Sequence, residues 1–210
     1  MDGRGMFYDL LNYVSKERWS SYFEQVHEVL ASCSDPKQLK VLEIGPGRNL
    51  LKRIISDEVD LYHTYDVDDR SIANYNSIDD LNSIPDGYFD CVLAFQVLEH
   101  MPIEESVILF TEMARLARNT VIISLPNSRP MWKYTIYIPK WKHLNLLIPN
   151  PFWKSPVNVS DGNHFWELER QGYSTNKIFT LLESSGNVRL DKNYRIFDNA
   201  YHHMAVFKKT

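Results

Sequence analysis

The sequence predicts an α/β fold: a mostly parallel sheet with helices on both faces and an antiparallel pair at one edge. Three observations predict it. Short apolar runs of strand type alternate with helical segments over much of the chain, the order that builds a parallel sheet. The first such run, Val41-Leu42-Glu43-Ile44, ends in Gly45-Pro46-Gly47 and feeds a helix-like segment. That arrangement opens a crevice at the carboxyl edge of a sheet, where backbone can approach a nucleoside-like ligand. The last two strand-like runs have no helix between them and are expected to pair antiparallel. At 210 residues, one domain spanning 1–210 is expected, with a helical cap over 1–35.

Residues 7–32 read as a helix. Tyr22, Val26, Val29 and Leu30 recur at helical spacing, as do Trp19 and Phe23. This helix is expected to lie across the crevice mouth, with Trp19 in the core and Arg18 and Tyr22 near the ligand. Ser34-Asp35-Pro36 breaks it. Residues 40–44 form strand one, 50–56 a helix, and 59–65 strand two, which ends at Asp66. A short helix over 71–75 and a short third strand over 75–78 follow. Pro85-Asp86-Gly87 is a turn. Residues 88–95 form strand four, 103–117 a helix and 120–125 strand five. Residues 126–156 hold six of the ten prolines and are expected to be irregular, with 127–156 a lid over the crevice. Residues 174–184 read as a helix with Ser174 as N-cap and Ile178, Leu181 and Leu182 as its apolar face. Strands over 188–197 and 201–208 close the chain.

Composition excludes some classes. Apolar residues are 44% and charged residues 24%, as in ordinary globular proteins. The longest apolar runs are far too short to span a bilayer. The opening residues, Met1-Asp2-Gly3-Arg4-Gly5, lack the pattern of a signal peptide. The two cysteines, Cys33 and Cys91, lie far apart and read as reduced core thiols, so a cytoplasmic location is expected. The net charge of −4 hides an asymmetry. Between 113 and 160 there is no Asp or Glu, only Arg115, Arg118, Arg129, Lys133, Lys140, Lys142 and Lys154. Such asymmetry can mark a surface for an anionic partner.

The crevice collects acid. Glu43 ends strand one, Asp66 ends strand two, and Asp79 and Asp80 follow strand three. A carboxylate after strand two suits the two hydroxyls of a ribose, and one after strand three can accept from an adenine amino group. A dinucleotide site wants a third glycine where Leu50 stands, and Glu43 would repel its phosphate. A cationic or zwitterionic nucleoside without phosphate, such as S-adenosylmethionine, fits better.

These stretches resemble the class I S-adenosylmethionine-dependent methyltransferases. Val41 to Gly47 is similar to their motif I, and Tyr65-Asp66-Val67-Asp68 to the acidic end of their second strand. Residues 85–90 with Phe95-Gln96-Val97-Leu98-Glu99-His100 resemble the fourth strand and its loop, and 121–127 the fifth strand. The resemblance implies a Rossmann-like seven-stranded sheet with S-adenosylmethionine as methyl donor. It places Glu43, Gly45 and Gly47 at the methionine part and Gln96 near it. Asp66, with Val67 beside it, falls at the ribose. The 77–80 stretch, with Ile78 and Asp79 or Asp80, falls at the adenine, and strict alignment can put Ser77 there. The usual glycine-rich turn before strand five is replaced by Arg118-Asn119.

A second constellation concerns the acceptor. Gln96, Glu99 and His100 follow strand four, and Asp161-Gly162-Asn163-His164-Phe165-Trp166-Glu167 adds a histidine beside a tryptophan. The pairing resembles ubiquinone-biosynthesis O-methyltransferases and small-RNA 2′-O-methyltransferases. The resemblance implies Glu99, His100 and His164 as catalytic residues or as ligands of a divalent metal, Mg or Mn. Gln96 replaces the first glutamate of the run and removes an anionic ligand from that set. Without a metal, His164 or His100 would serve as general base. The bland reading has His100 starting the next helix and His164 packed in the lid. The lid's Trp132, Tyr134, Tyr137, Trp141, Phe152 and Trp153 stand among five basic side chains. They can fill a plain lid, stack and neutralise nucleic acid, or rest on an anionic membrane surface through 144–148. The expected function is therefore a methyltransferase acting on oxygen of a small-molecule or saccharide-like acceptor. The alternatives are metal-assisted methylation of RNA or a lipid-linked acceptor, or a non-catalytic S-adenosylmethionine-binding partner protein.

Overall fold

The computed structural model describes residues 15–68, 72–139, 143–158 and 163–210. Residues 7–14 of the expected first helix, Ser71, Lys140, Trp141, Lys142, Asp161 and Gly162 lie outside the described residues. Helix α1 spans Lys16–Ala31, and its N-cap Ser15 accepts from the Arg18 N–H at 3.3 Å. The main sheet contains β1 (Lys40–Ile44), β2 (Leu61–Tyr65), β3 (Phe89–Phe95), β4 (Ala117–Pro126), β7 (Val188–Arg195) and β8 (His202–Lys209). Its order is β2-β1-β3-β4-β8-β7. The first four strands are parallel, and β8 runs antiparallel to both β4 and β7. β3 and β4 are buried over most of their length, as expected of strands covered on both faces.

Two apolar layers cover the sheet. On one face Val29 of α1 and Leu51 and Ile55 of α2 (Leu50–Ile55) pack on Val41, Leu93 and Ile122. On the other, α3 (Ile78–Asn82), α4 (Ile103–Leu116) and α5 (Thr175–Gly186) bring Leu81, Phe110, Met113, Ile178, Phe179 and Leu182 onto Leu42, Val92 and Ile123. Both cysteines are free, and burial in β3 pushes the Cys91 thiol up to about 12. Among the described residues no helix is long and apolar enough to cross a membrane.

Several local expectations change. The third strand shrinks to a single bridge between Tyr65 and Tyr75, so six strands and this stub make the expected seven. Residues 72–74 are not helical. The helix comes later, because Ser77 and Asp80 form a capping box that starts α3 at Ile78. In α5 Ser174 holds the cap position without a side-chain bond. Glu169 takes that role, accepting from the Thr175 N–H at 3.0 Å and its hydroxyl at 2.8 Å. Leu181 faces outward, and Phe179 takes its expected place in the core. Trp19 and Phe23 are exposed. α1 is anchored at β7 and the turn before β8, where Tyr194 donates to Glu24 and Glu28 and Asn199 donates to Ser21.

The proline-rich segment is not irregular throughout. It contains an antiparallel hairpin of β5 (Met131–Ile136) and β6 (Leu144–Pro149), separate from the main sheet. Its prolines stand at strand ends or outside the ladder, where a missing N–H costs nothing. Between them Trp132, Tyr134 and Ile136 alternate with Lys133 and Thr135, a strand period.

Candidate active site

The crevice starts at the carboxyl end of β1. Gly45 and Gly47 both adopt left-handed backbone, with φ of 63° and 52°. A Cβ on Gly45 would lie 2.7 Å from Val97 Cγ2, so this glycine lets the loop after β3 close in. A Cβ on Gly47 would meet nothing within 4 Å, so its side of the turn is open to a ligand. Asn49 follows, also left-handed, and its Oδ1 is a buried acceptor with no hydrogen-bond partner. An orphan acceptor beside an open glycine turn fits the ammonium group of an amino-acid-bearing ligand. Glu43 is buried and accepts from the Tyr62 hydroxyl at 2.8 Å. Burial pushes its pKa up to about 7, against the pull of the Tyr62 bond and the Lys52 charge.

The adenosine side is built by β2 and α3. Asp66 Oδ1 accepts from the Asp68 N–H at 3.0 Å, and the Asp66 carbonyl accepts from the Asn76 amide at 3.1 Å. Val67 and Ile78 expose 74% and 52% of their surface, leaving apolar faces beside Asp66 and the α3 start. The carboxylate of Asp80 is spent on the N–H groups of Asn76 and Ser77, and the Ser77 hydroxyl caps α3. Asp79 is therefore the exposed carboxylate of the pair with no part in that cap. Gln96 sits in left-handed backbone at the end of β3, with its amide donating to Ser124 Oγ at 3.2 Å.

The acceptor side joins distant parts of the chain. Leu98–His100 forms one 3₁₀ turn after β3. Trp166 is buried beneath it, donating from Nε1 to the Met101 carbonyl and to Ser106 Oγ. The Phe165 N–H donates to the Glu99 carbonyl at 2.8 Å. These bonds set the His100 and His164 rings 5.1 Å apart. Each of Glu99, His100 and His164 offers a ligand atom, and the three atoms lie within 4.8 Å of one another. Glu99 is fully buried with neither carboxylate oxygen hydrogen-bonded, and burial raises its pKa to about 8. His100 Nδ1 lies 2.6 Å from the Asn163 carbonyl.

His164 has a buried carboxylate partner that the sequence motifs do not single out. Glu167 Oε1 lies 2.9 Å from His164 Nδ1 and accepts from the Tyr201 hydroxyl at 2.8 Å, and Arg170 donates to Oε2 at 3.0 Å. Burial alone would raise the Glu167 pKa, but these three donors outweigh it and hold the carboxyl below its ordinary value. The i,i+3 spacing of His164 and Glu167 was visible in the sequence. Tyr201 had no sequence signal, since it arrives from the start of β8. A cleft lined by Arg115, Arg118 and Lys209 opens at the other end of β4, a strand's length of about 30 Å from this cluster, and takes no part in it.

A fold with an open glycine turn after β1, an acidic β2 end and a polar cluster after β3 is that of a nucleoside-binding α/β enzyme. The chain belongs to the methyltransferase domain family, whose model matches residues 14–169. No curated protein matches the chain significantly. Solved structures agree on the fold. The 1,6-didemethyltoxoflavin-N1-methyltransferase of Burkholderia thailandensis, with bound S-adenosylhomocysteine, superposes with a TM-score of 0.61 at 14% identity, covering 100% of this chain and 83% of that one. Magnesium protoporphyrin IX methyltransferase of Synechocystis PCC 6803, with bound S-adenosylmethionine, gives 0.59 at 15% identity, with 92% and 80% covered. The N-methyltransferase NodS of Bradyrhizobium japonicum gives 0.58 at 10% identity, with 93% and 88% covered. The chain is an S-adenosylmethionine-dependent methyltransferase of class I.

Proposed function

We propose that this enzyme methylates a hydroxyl oxygen of a small-molecule or saccharide-like acceptor in the cytoplasm, with His164 as general base. The observation that carries the proposal is the His164–Glu167 pair. S-adenosylmethionine, when bound, supplies an electrophilic methyl group, and the transfer is an in-line displacement dominated by positioning. A hydroxyl acceptor must also lose its proton. Glu167, held ionised by Tyr201 and Arg170, fixes the His164 tautomer with its proton on Nδ1 and leaves Nε2 the basic nitrogen. An imidazolium formed there would be stabilised by the same carboxylate. Gly45, Gly47 and Asn49 would hold the amino-acid end of the cofactor, with Glu43 and Gln96 close by. Asp66 and Val67 would hold its ribose, and Ile78 and Asp79 its adenine.

The test is S-adenosylhomocysteine production from a panel of phenols, catechols and sugars. His164→Ala should lower kcat by roughly 10²–10⁴-fold while calorimetric binding of S-adenosylmethionine stays unchanged. Turnover of amine acceptors only, or an unaffected kcat, overturns the proposal.

One observation favours a second reading, a divalent metal on Glu99, His100 and His164. The two buried, unpartnered oxygens of Glu99 face the burial cost of a charge that a cation would offset. Two imidazoles with one carboxylate suit Mn²⁺ better than Mg²⁺. Such an ion would polarise the acceptor oxygen and lower its pKa. Mn²⁺ should then raise the melting temperature of the wild type and not of Glu99→Gln. No shift in either removes the metal.

A further inference from the structure

The β5–β6 hairpin carries an exposed apolar surface. Trp132 pairs with Ile148, Tyr134 with Leu146 and Ile136 with Leu144. Side chains alternate along each strand and directly paired residues share a face, so all six project to one side. Each keeps between 36% and 47% of its surface exposed. Phe152, 82% exposed, lies beside Trp132 with ring centroids 6.4 Å apart. Tyr137 and Ile138 continue the exposed apolar surface past β5. A contiguous apolar face of this size on an otherwise ordinary surface marks an interaction site.

We propose that this face docks the enzyme on an anionic lipid bilayer. Three features select a bilayer over other occupants. The face combines a tryptophan and a tyrosine with four aliphatic side chains, the mixture that settles at the boundary of headgroups and acyl chains. The charged residues of the segment are of one sign: residues 113–160 contain no Asp or Glu, and Lys154, just after β6, stands exposed. Basic residues around an apolar face complement phosphatidylserine or phosphatidylglycerol headgroups. A second copy docking face to face would bring those cations against their own counterparts with no carboxylate in the segment to offset them.

The hairpin is also held to the body in a defined place. Lys133 Nζ donates to the Asp198 carbonyl at 2.7 Å, and Arg195 of β7 donates to the Arg129 carbonyl at 3.0 Å just before β5. β4 ends at Pro126, at the crevice edge, and β5 begins only five residues later at Met131. Docking through this face would hold the acceptor side of the crevice near the membrane, within reach of an acceptor carried by a lipid.

Cosedimentation of the full chain with vesicles tests the proposal. Binding should be stronger to vesicles containing phosphatidylserine than to pure phosphatidylcholine, by roughly fivefold for each engaged cation, and should weaken in high salt. The double variant Leu146→Ser, Ile148→Ser should lose vesicle binding by about tenfold or more while keeping its affinity for S-adenosylmethionine, which shows that it still folds. Lys154→Glu should weaken the preference for anionic vesicles. Brominated lipids should quench wild-type tryptophan emission more than that of Trp132→Phe. Absence of vesicle binding, or equal binding to neutral and anionic vesicles, overturns the proposal. So does a dimer in light scattering that the Leu146→Ser, Ile148→Ser variant dissociates.

Discussion

Glu43 offers the sharpest test of how the crevice is charged. It is a carboxylate buried at the end of β1, with the Tyr62 hydroxyl as its hydrogen-bond donor and Lys52 as the nearby cation. Burial carries its pKa from 4.5 to about 7. The sign of the linkage follows. Below pH 4.5 both folded and unfolded chains hold this proton, so it has no effect on stability. Between pH 4.5 and 7 the unfolded chain releases it and the folded chain keeps it, so stability falls as pH rises. Above pH 7 the whole penalty is present, about 3 kcal/mol on a value good to about one pH unit. Glu43→Gln keeps an acceptor for Tyr62 and has no charge to desolvate. Its stability relative to wild type should therefore rise with pH through this window and level off above it. A gain of about 3 kcal/mol corresponds to roughly 6–12 °C in melting temperature for a chain of this length. Urea denaturation of both proteins at half-unit steps from pH 4.5 to 8.5, without cofactor, measures the difference directly. A difference that stays flat with pH, or that grows toward acid, refutes the reasoning. A cationic ligand near Glu43 would favour its ionised form, so S-adenosylmethionine should bind the wild type with release of protons below pH 7. Glu43→Gln should abolish that release, which calorimetry in two buffers of different ionisation enthalpy reads out.

Two further substitutions probe the frame of the site. Gly45→Ala places a side chain at φ 63° and 2.7 Å from Val97 Cγ2, so it should destabilise the fold by about 1–3 kcal/mol, and Val97→Ala should recover part of the loss. Unchanged denaturation of the single variant would mean that the loop after β3 does not press on this turn. Glu167→Gln removes the anion that His164, Tyr201 and Arg170 share, and kcat should fall by roughly 10²–10⁴-fold with little change in KM for S-adenosylmethionine. Equal turnover by the variant would remove His164 from the role of base.

What the sequence made legible was whatever local grammar encodes. The run ending at Gly45 and Gly47 announces a buried strand, a turn that needs left-handed backbone and a helix, and all three lie within a few residues of one another. The parallel order followed from alternation alone. Errors came where two local signals competed or where a distant partner decided. Counting prolines over 126–156 hid the two-residue period of 132–136, because prolines that flank a ladder look like prolines that break one. Ser77 and Asp80 fit two patterns at once, an adenine-side stretch and the capping box that starts α3, and their spacing alone does not separate the two. Trp19 looked like a core residue from its helical spacing with Phe23, but α1 turns that stripe outward and buries Val29. The meeting of His100 with His164 was reachable only by resemblance. It depends on Trp166 filling the space under Met101 and Ser106, a packing contact with no period and no motif.

The two carboxylates of the acceptor site show how environment divides their labour. Glu99 and Glu167 have the same side chain and are both buried, yet they are driven in opposite directions. Glu167 has three donors arranged around it, so its charge persists inside the protein and can hold an imidazole by Nδ1. Glu99 has no donor on either oxygen and feels the negative charge of Glu167, so burial leaves it neutral near pH 7. A pair split in this way suits two different roles. In the proposed mechanism the ionised member would orient the base, while the neutral member would stay uncharged unless a cation joined the cluster. Gln96, where the related run carries a glutamate, fits the same logic: a third carboxylate there would add repulsion to a site that already suppresses one charge. On the proposed reading His164 Nε2 is the base, whereas a metal on Glu99, His100 and His164 would occupy that same nitrogen and take over activation of the acceptor, so the two readings exclude each other.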